Sequence, residues 1–199
     1  ARPDAWWTAL GDETLNQLVE QALTNNFSLR AAWDRLAQAE AIAARQGAAT
    51  RPSLDASGSF LRTRREDDAG GAVYDSQYGA GLVASYELDV WGRVRSVRDA
   101  AALDAAASAE QVQAAAITLS AELSLAWVQW IEQRGQIELL MRQIETSSRA
   151  LDVLNQRFRI GQASAADVLQ QEQLVEARRG DLSAAAARAS VLEHRVAVL

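Results

Sequence analysis

The sequence predicts a mainly α-helical chain with one β-hairpin and a long antiparallel coiled-coil helical hairpin. Two observations predict this fold class. Apolar residues recur at helical spacing over most of the 199 residues, and they switch to alternation only between residues 53 and 90. In the second half, a seven-residue apolar repeat runs on both sides of a single glycine-containing interruption.

Residues 1–52 are predicted to form a pair of short helices. The first runs from Asp12 to Asn25, and its acidic start favours the positive end of the helix dipole. The motif "NNFS" breaks this helix, and we expect Ser28 to cap a second helix that runs to about Ala49. Pro52 ends this helix, because the residue before a proline disfavours helical conformation.

Residues 53–92 are predicted to form a β-hairpin with a charged, glycine-containing turn at residues 65–73. The run from Tyr74 to Val90 alternates strictly over 17 residues, so the even positions form an apolar, aromatic face and the odd positions a polar or glycine face. A solitary hairpin is marginal in water, so we expect it to complete a sheet supplied by something else. An amphipathic hairpin lying on the helices is the alternative. Tyrosines at both ends of the apolar face favour strands that cross a lipid interface.

Residues 93–199 are predicted to form two long helices joined by a tight turn. The seven-residue repeat comprises Ala102, Ala109, Ala116, Leu123, Trp130, Ile137, Ile144, Leu151 and Phe158, and then Val168, Val175, Leu182, Ala189 and Val196. Such a repeat implies a left-handed supercoil. Between the two runs, Gly161 can close one helix in the left-handed conformation. Ser164 and Asp167 have the spacing of a capping box for the next helix.

The composition argues against several classes of function. The net charge is −6 and no basic run occurs, which is unfavourable for nucleic-acid binding. There is no cysteine, one histidine, and no spacing suited to a metal, a nucleophile or a phosphate-binding loop. We therefore expect no enzyme activity, no cofactor and no metal. No apolar run approaches the roughly 18 residues of a membrane-spanning helix, so no helical anchor is expected.

The order of these elements, with two specific motifs, resembles a known family. The segment "YELDVWGR" at residues 86–93 is followed about 70 residues later by "RFRIGQASAADV" at residues 157–168. Together they resemble the N-terminal half of a protomer of the TolC-type outer-membrane efflux channels. The resemblance is strongest to the lipoprotein branch that serves resistance-nodulation-division pumps, and it covers essentially the whole chain.

The resemblance implies a fold and a function. Members are trimers in which each protomer contributes four strands to a shared β-barrel and helices to a periplasmic α-barrel tunnel. This chain is then expected to be one half-repeat: tunnel helices at 1–52, two barrel strands at 53–92, and a helical hairpin at 93–199 that stops in its returning helix. The N-terminal lipid-bearing cysteine of this branch is missing from the sequence, as expected if the sequence begins after it.

The expected function is a passive outer-membrane exit duct of a Gram-negative bacterium, mostly periplasmic, which exports small molecules or ions and confers drug or metal resistance. The full-length protein would be a homotrimer, and its partners would be a periplasmic adaptor, an inner-membrane pump and outer-membrane lipid. No nucleic acid is expected.

Site residues follow from the resemblance and from the strand alternation. By position in the family's turn motif, the adaptor would contact Ile160, Gly161 and Gln162, and Asp167 would belong to the network that constricts the aperture. Ser164 and Asp167 also cap the helix. The strand faces predict lipid-facing and lumen-facing sets, which are Tyr78, Leu82, Tyr86 and Leu88 for lipid, and Gln77, Ser85 and Glu87 for the lumen.

Two other readings remain open from the sequence. A soluble coiled-coil periplasmic adaptor or scaffold would also carry a long alanine-rich helical hairpin, but such proteins usually have compact, glycine-rich β-domains. The long alternating run argues against that class. A component of an autotransporter-like or secretion channel is the weaker alternative.

Overall fold

The structure, a computed structural model, describes residues 4–66 and 72–199. A short 3-10 helix is followed by two helices, two strands and two long helices. Their bounds are Trp6–Leu10 for the 3-10 helix, Glu13–Asn25 (α1), Phe27–Ala48 (α2), Ser53–Glu66 (β1), Ala72–Ser85 (β2), Arg93–Arg159 (α3) and Ala165–Val198 (α4). The predicted turn at residues 65–73 lies largely outside the described residues.

The chain divides into two compact units, whose boundaries fall within α2 and α3. One unit comprises Ala1–Arg30 and Gln113–Leu199, and the other comprises Ala31–Val112. The first unit contains α1, α4 and the part of α3 from Gln113 onward, and the second contains the β-hairpin, most of α2 and the start of α3. The predicted three-part division at residues 52 and 92 stays a prediction.

The start of α1 is capped as its sequence suggests, whereas the start of α2 is not. Asp12 is the N-cap of α1, and its carboxylate accepts from the backbone N–H groups of Thr14 and Leu15. The prediction that Ser28 caps α2 is wrong. Asn26 does so, because its Oδ1 accepts from the N–H groups of Ser28 and Leu29 at 2.9 and 3.1 Å.

The core of the first unit follows the seven-residue repeat. Buried positions of the repeat are Ala116, Leu123, Val168, Val175 and Ala189. A second buried row lies three residues after positions of the repeat and comprises Leu119, Ala126, Leu140 and Ala185. The side-chain amide of Gln171 on α4 donates to the carbonyl of Ser147 on α3 at 2.9 Å. The two helices therefore pack along the predicted seam. The repeat is less covered at its ends, because Ala102, Ala109 and Phe158 are exposed.

The hairpin of the second unit is antiparallel, with Ser53 opposite Ser85 and Glu66 opposite Ala72. Every residue of both strands is exposed. The strand β2 ends at Ser85, so the prediction that alternation carries it on to Val90 is wrong. The partner strand begins at Ser53, directly after Pro52, which has no N–H to donate to a ladder.

One helix meets the length and composition of a membrane span, contrary to the expectation from the sequence. It is α3, in which an 18-residue window has a mean hydropathy of 1.2. Core helices of soluble proteins share this length and composition, so these two properties do not place α3 in a membrane.

Candidate functional site

The turn between α3 and α4 is built by hydrogen bonds that only a left-handed residue permits. Gly161 has φ of 73°. Its N–H donates to the carbonyl of Phe158 at 3.0 Å, and the N–H of Gln162 donates to the carbonyl of Arg157 at 2.8 Å. This pair of bonds is the Schellman motif, which satisfies the last carbonyls of a helix. The predicted role of Gly161 as a helix terminator is confirmed.

The next helix begins with the predicted capping box. The Ser164 hydroxyl accepts from the N–H of Asp167, and Oδ2 of Asp167 accepts from the N–H of Ser164 at 2.9 Å and from its hydroxyl at 2.8 Å. These bonds lower the pKa of Asp167, with the backbone N–H of Ser164 as the largest cause. Asp167 is therefore a charged cap, and its aperture role stays a prediction.

The turn presents an exposed apolar side chain at its apex. Ile160 is 67% exposed, and its neighbours Gly161 and Gln162 are exposed as well. The capping bonds on both sides fix the backbone around Ile160, so its side chain projects from an ordered turn. Such an arrangement suits contact with another protein more than chemistry. The three predicted tip residues thus lie together at one apex.

The hairpin has two chemically distinct faces, and the strand register aligns them. Residues directly opposite in an antiparallel pair share a face. Even positions pair with even positions, so one face is largely apolar and contains Leu54, Ala56, Phe60, Tyr78, Ala80, Leu82 and Ala84. The odd face is mostly small or polar and contains Ser53, Ser57, Ser59, Gln77, Gly79, Gly81 and Ser85. The register therefore places Tyr78 and Leu82 on one face and Gln77 and Ser85 on the other, as the alternation predicts.

Contacts within the sheet reinforce each face. On the even face, the rings of Phe60 and Tyr78 are 4.9 Å apart. On the odd face, the hydroxyls of Ser53 and Ser85 are 2.7 Å apart. A Cβ added to Gly79 would lie 2.6 Å from the Ser59 hydroxyl, so a larger residue there would require the Ser59 side chain to rotate.

Three of the predicted strand residues lie beyond the sheet. Tyr86, Glu87 and Leu88 follow the end of β2, so they do not take part in the strand alternation. The strand assignment of these three residues is therefore wrong. Glu87 instead forms a bidentate ion pair with Arg93, whose Nη2 is 2.6 and 2.7 Å from the two carboxylate oxygens. The ion pair raises the pKa of Arg93.

The "YELDVWGR" motif organises the start of α3. Gly92 has φ of 78° and supplies no capping side chain. Asp89 takes that role, because its carboxylate accepts from the N–H groups of Val94 and Arg95 at 3.2 and 2.9 Å. The N–H of Arg95 is the largest cause of the lowered pKa of Asp89. This cap could have been predicted from the sequence, because Gly92 has no side chain to cap the helix and an aspartate stands three residues before it.

Trp91 lies in the middle of this ordered segment and is 93% exposed. The neighbouring apolar side chains of Leu88 and Val90 are also exposed. An exposed apolar group on an ordered segment is a candidate contact surface. The exposed side chains of Leu88, Val90 and Trp91 therefore lie beside the ion-paired residues Glu87 and Asp89, just after the end of β2.

The first unit contains a tie between α1 and α3 that sequence reasoning missed. The indole N–H of Trp127 donates to Oδ2 of Asp12 at 2.7 Å, and that of Trp6 donates to the hydroxyl of Ser120 at 3.3 Å. The Trp127 bond is the largest cause of the lowered pKa of Asp12. Trp130 stacks on Trp127 with ring centroids 5.0 Å apart. These residues are more than 100 positions apart, so no local pattern could have paired them.

The described residues hold no group of three or more histidine, cysteine, aspartate or glutamate side chains that could bind a metal ion. The single histidine, His194, contacts the carbonyl of Ser190 on its own helix. Within the described part of the chain, the features that stand out are therefore an exposed turn, a two-faced sheet and a capped junction. They are features of assembly.

Comparison with known proteins gives one consistent result. A family model described as "Outer membrane efflux protein" matches residues 18–198. The chain is 33% identical over 191 residues to the pyoverdine export outer membrane protein OpmQ of Pseudomonas putida, covering 92% of this chain and 41% of that protein. It is 34% identical over 180 residues to the outer membrane protein OprJ of Pseudomonas aeruginosa, covering 88% of this chain and 38% of that protein.

Comparison of structures agrees. The solved structure of the outer-membrane channel OprN superposes with a TM-score of 0.84 at 27% identity, covering 100% of this chain and 45% of that one. The chain therefore spans about two fifths of the length of the curated relatives it matches. The helical and hairpin elements match the predicted half-repeat of a channel, and the chain belongs to the outer membrane efflux protein family.

Proposed function

We propose that this chain is one structural half-repeat of a passive outer-membrane exit duct in a tripartite efflux system. The full-length protein works as a homotrimer with a periplasmic adaptor and an inner-membrane pump. Its strands contribute to a shared barrel in the outer membrane of a Gram-negative bacterium. Its helices contribute to a periplasmic tunnel. The duct moves small molecules or ions without covalent chemistry, cofactor or metal.

The observation that carries this proposal is the fully exposed, two-faced β-hairpin in a chain of this family. Each strand has 14 residues, and none of them is covered by the rest of the described chain. An isolated hairpin is marginal in water, and its outer edges have unpaired backbone groups. Closure with strands from other segments into a barrel would satisfy those edges. The alternative, a hairpin packed on the helices, receives no support from the exposure of the strands.

The two faces support an orientation in the barrel. The even face, with Tyr78 and Leu82, would meet lipid, and the odd face, with Gln77 and Ser85, would line the lumen. Apolar side chains are favoured on the outer wall of a barrel, where they meet lipid. Polar or small residues are compatible with its water-filled interior. Tyr86 and Trp91 follow the end of β2. In the proposed barrel they would lie at the membrane boundary, where aromatic side chains are favoured.

The ordered turn supports a docking role for the tip. Ile160, Gly161 and Gln162 would contact the adaptor, with Ile160 as the apolar anchor. Asp167 would contribute a charge near the aperture in addition to its capping bonds. The lowered pKa of Asp167 favours a carboxylate that is ionised at neutral pH.

A soluble adaptor or scaffold remains the rival function. Such a protein would need to cover the apolar face of the hairpin in water. In this chain Phe60, Tyr78 and Leu82 are exposed together on one face. The family membership and this uncovered face both favour the channel.

The experiment that tests the proposal measures conductance and assembly of the full-length protein. We expect a purified trimer that gives stable single-channel currents in planar lipid bilayers. A water-soluble monomer with no conductance would contradict the channel and favour the scaffold.

Docking is tested separately in cells that supply the adaptor and the pump but lack their own exit duct. The variant Ile160→Asp should form conducting trimers yet fail to restore efflux of a fluorescent dye. The control is Val191→Asp on α4, because Val191 is 68% exposed, close to the 67% of Ile160, and lies far from the turn. Wild-type efflux from Ile160→Asp would show that the turn does not dock.

A further inference from the structure

The end of the hairpin nearest its turn carries arginines on the apolar face. In the register, Arg62 lies opposite Ser76 and Arg64 lies opposite Tyr74. These pairs share the even face with Phe60 and Tyr78, and they come directly after that aromatic pair on the way to the turn. The face therefore changes from apolar to aromatic to cationic within a few residues.

Arg62 has a described contact along the sheet, and Arg64 follows it on the same face. The guanidinium carbon of Arg62 is 4.7 Å from the centroid of the Tyr74 ring, a cation–π contact. Arg64 is two residues further along the same strand, which places the two Cα atoms about 7 Å apart. Both side chains are exposed. Two exposed arginines thus stand at successive positions of the even face, and the guanidinium group of Arg62 lies over a ring.

Other charged groups nearby do not form described ion pairs with these two arginines. The described ion pairs involve other arginines, all of them on or beside the long helices. Glu66 is on the same face, but it lies beyond Arg64 toward the turn. Arg65 and Asp75 point to the opposite face by their register. The apolar face is therefore bordered first by positive charge.

We propose that Arg62, Arg64 and Tyr74 form a binding site for the phosphate-bearing headgroup of a lipid in the outer leaflet. This inference rests on the proposed function, because it requires the even face to meet lipid. The apolar residues from Leu54 to Phe60 would then contact acyl chains. The arginines would lie at the headgroup level, just outside the aromatic boundary.

The chemistry of the pair fits phosphate. A guanidinium group is planar and always charged, and it donates two parallel hydrogen bonds to a phosphate oxygen pair. Two arginines whose Cα atoms are about 7 Å apart on one face can both reach one headgroup, either at two phosphate groups or at two oxygens of one. The outer leaflet follows from the connections of the hairpin, because the ends of the strands opposite the turn lead into α2 and α3. Those helices are periplasmic in the proposed duct.

A lipid fits this site better than free phosphate. The sheet surface is open and offers no wall that would enclose a small ion or remove its water. A lipid adds the burial of its acyl chains on the adjoining apolar face to the headgroup contacts. A lipid makes both contributions because it carries the headgroup and the acyl chains in one molecule, whereas free phosphate makes only the first.

The test titrates lipid A, a glycolipid with two phosphate groups, onto the full-length protein in micelles of a non-ionic detergent that contains no phosphate. Native mass spectrometry then measures the bound fraction. The variant Arg62→Gln/Arg64→Gln should lose apparent affinity by at least about tenfold, because one hydrogen bond to a charged group already contributes roughly this factor. The matched control is Arg65→Gln, which removes the same kind of charge from the neighbouring residue on the opposite face. It should bind as the wild type does.

Several outcomes would overturn the inference. Equal losses in the double variant and in Arg65→Gln would indicate general charge attraction. Competition by millimolar inorganic phosphate would indicate a free-anion site. If the double variant does not insert, the single variants Arg62→Gln and Arg64→Gln take its place, and wild-type affinity in both of them would equally refute the site. Insertion and conductance of the wild-type protein report separately on the proposed channel.

Discussion

Leu82 is the position at which a charge tests the proposed orientation of the hairpin most severely. It lies on the even face opposite Ala56, and it is 73% exposed in the chain alone. It follows Tyr78 by four residues, or about 13 Å along the strand. At a strand tilt of about 40° this corresponds to a depth of about 10 Å, near the midplane of an apolar band about 25 Å tall.

The expected cost of Leu82→Arg follows from this depth. An arginine facing lipid near the midplane destabilises a barrel by about 2–4 kcal/mol. That cost lowers the folding equilibrium constant by a factor of roughly 30 to 700. The control is Val83→Arg, one residue further on, on the odd face and opposite Asp55. An arginine there would meet water and an opposite charge, so we expect a change between zero and a gain of about 1 kcal/mol.

The assay is urea-dependent folding of the full-length protein into phosphatidylcholine vesicles, followed by tryptophan fluorescence and protease protection. The reasoning predicts a large loss for Leu82→Arg and none for Val83→Arg. Equal stability of the two variants would refute the assignment of faces. A greater loss for Val83→Arg would reverse it.

Three further predictions concern the helices. Gly161→Ala should lower the stability of the chain by about 1 kcal/mol in thermal unfolding, because an alanine is strained at φ of 73°. The control Gly135→Ala, at a helical site open to a Cβ, should raise it by roughly 0.5–1 kcal/mol, and equal effects would contradict the turn geometry. The folded-state pKa of Asp12 is lowered, so its contribution is complete above the unfolded pKa and is lost as the pH falls through the folded pKa. Asp12→Asn should therefore flatten the acid limb of a stability–pH profile, and an unchanged limb would argue against the bond to Trp127. Asp89→Ala should speed hydrogen exchange of the two amides that it caps at the start of α3, whereas unchanged exchange would show that Gly92 suffices.

Local signals were enough to predict the turn and the helical seam. Gly161, Ser164 and Asp167 act through bonds to residues within five positions, so their spacing determines the geometry. The seven-residue repeat predicted the buried side of both long helices for a similar reason, because it depends only on helical periodicity. The faces of the hairpin followed from alternation.

The rest depended on competition between elements. Alternation continues past Ser85, but the ladder stops where β1 begins, and Glu87 is recruited by Arg93 instead. Ser28 has a good capping side chain, yet Asn26 occupies the position from which the free N–H groups can be reached. The bond between Asp12 and Trp127 joins residues 115 positions apart, and no local pattern encodes it. Long-range packing decides such contacts.

The central claim is that the hairpin is a barrel wall with lipid on its even face and water on its odd face. The chain has no cysteine, so single cysteines can be introduced without background from this segment. In vesicles containing the full-length trimer, a water-soluble maleimide should label cysteine at Gln77 and Val83 and should spare cysteine at Tyr78 and Leu82. Labelling at all four positions, or the opposite alternation, would contradict the account.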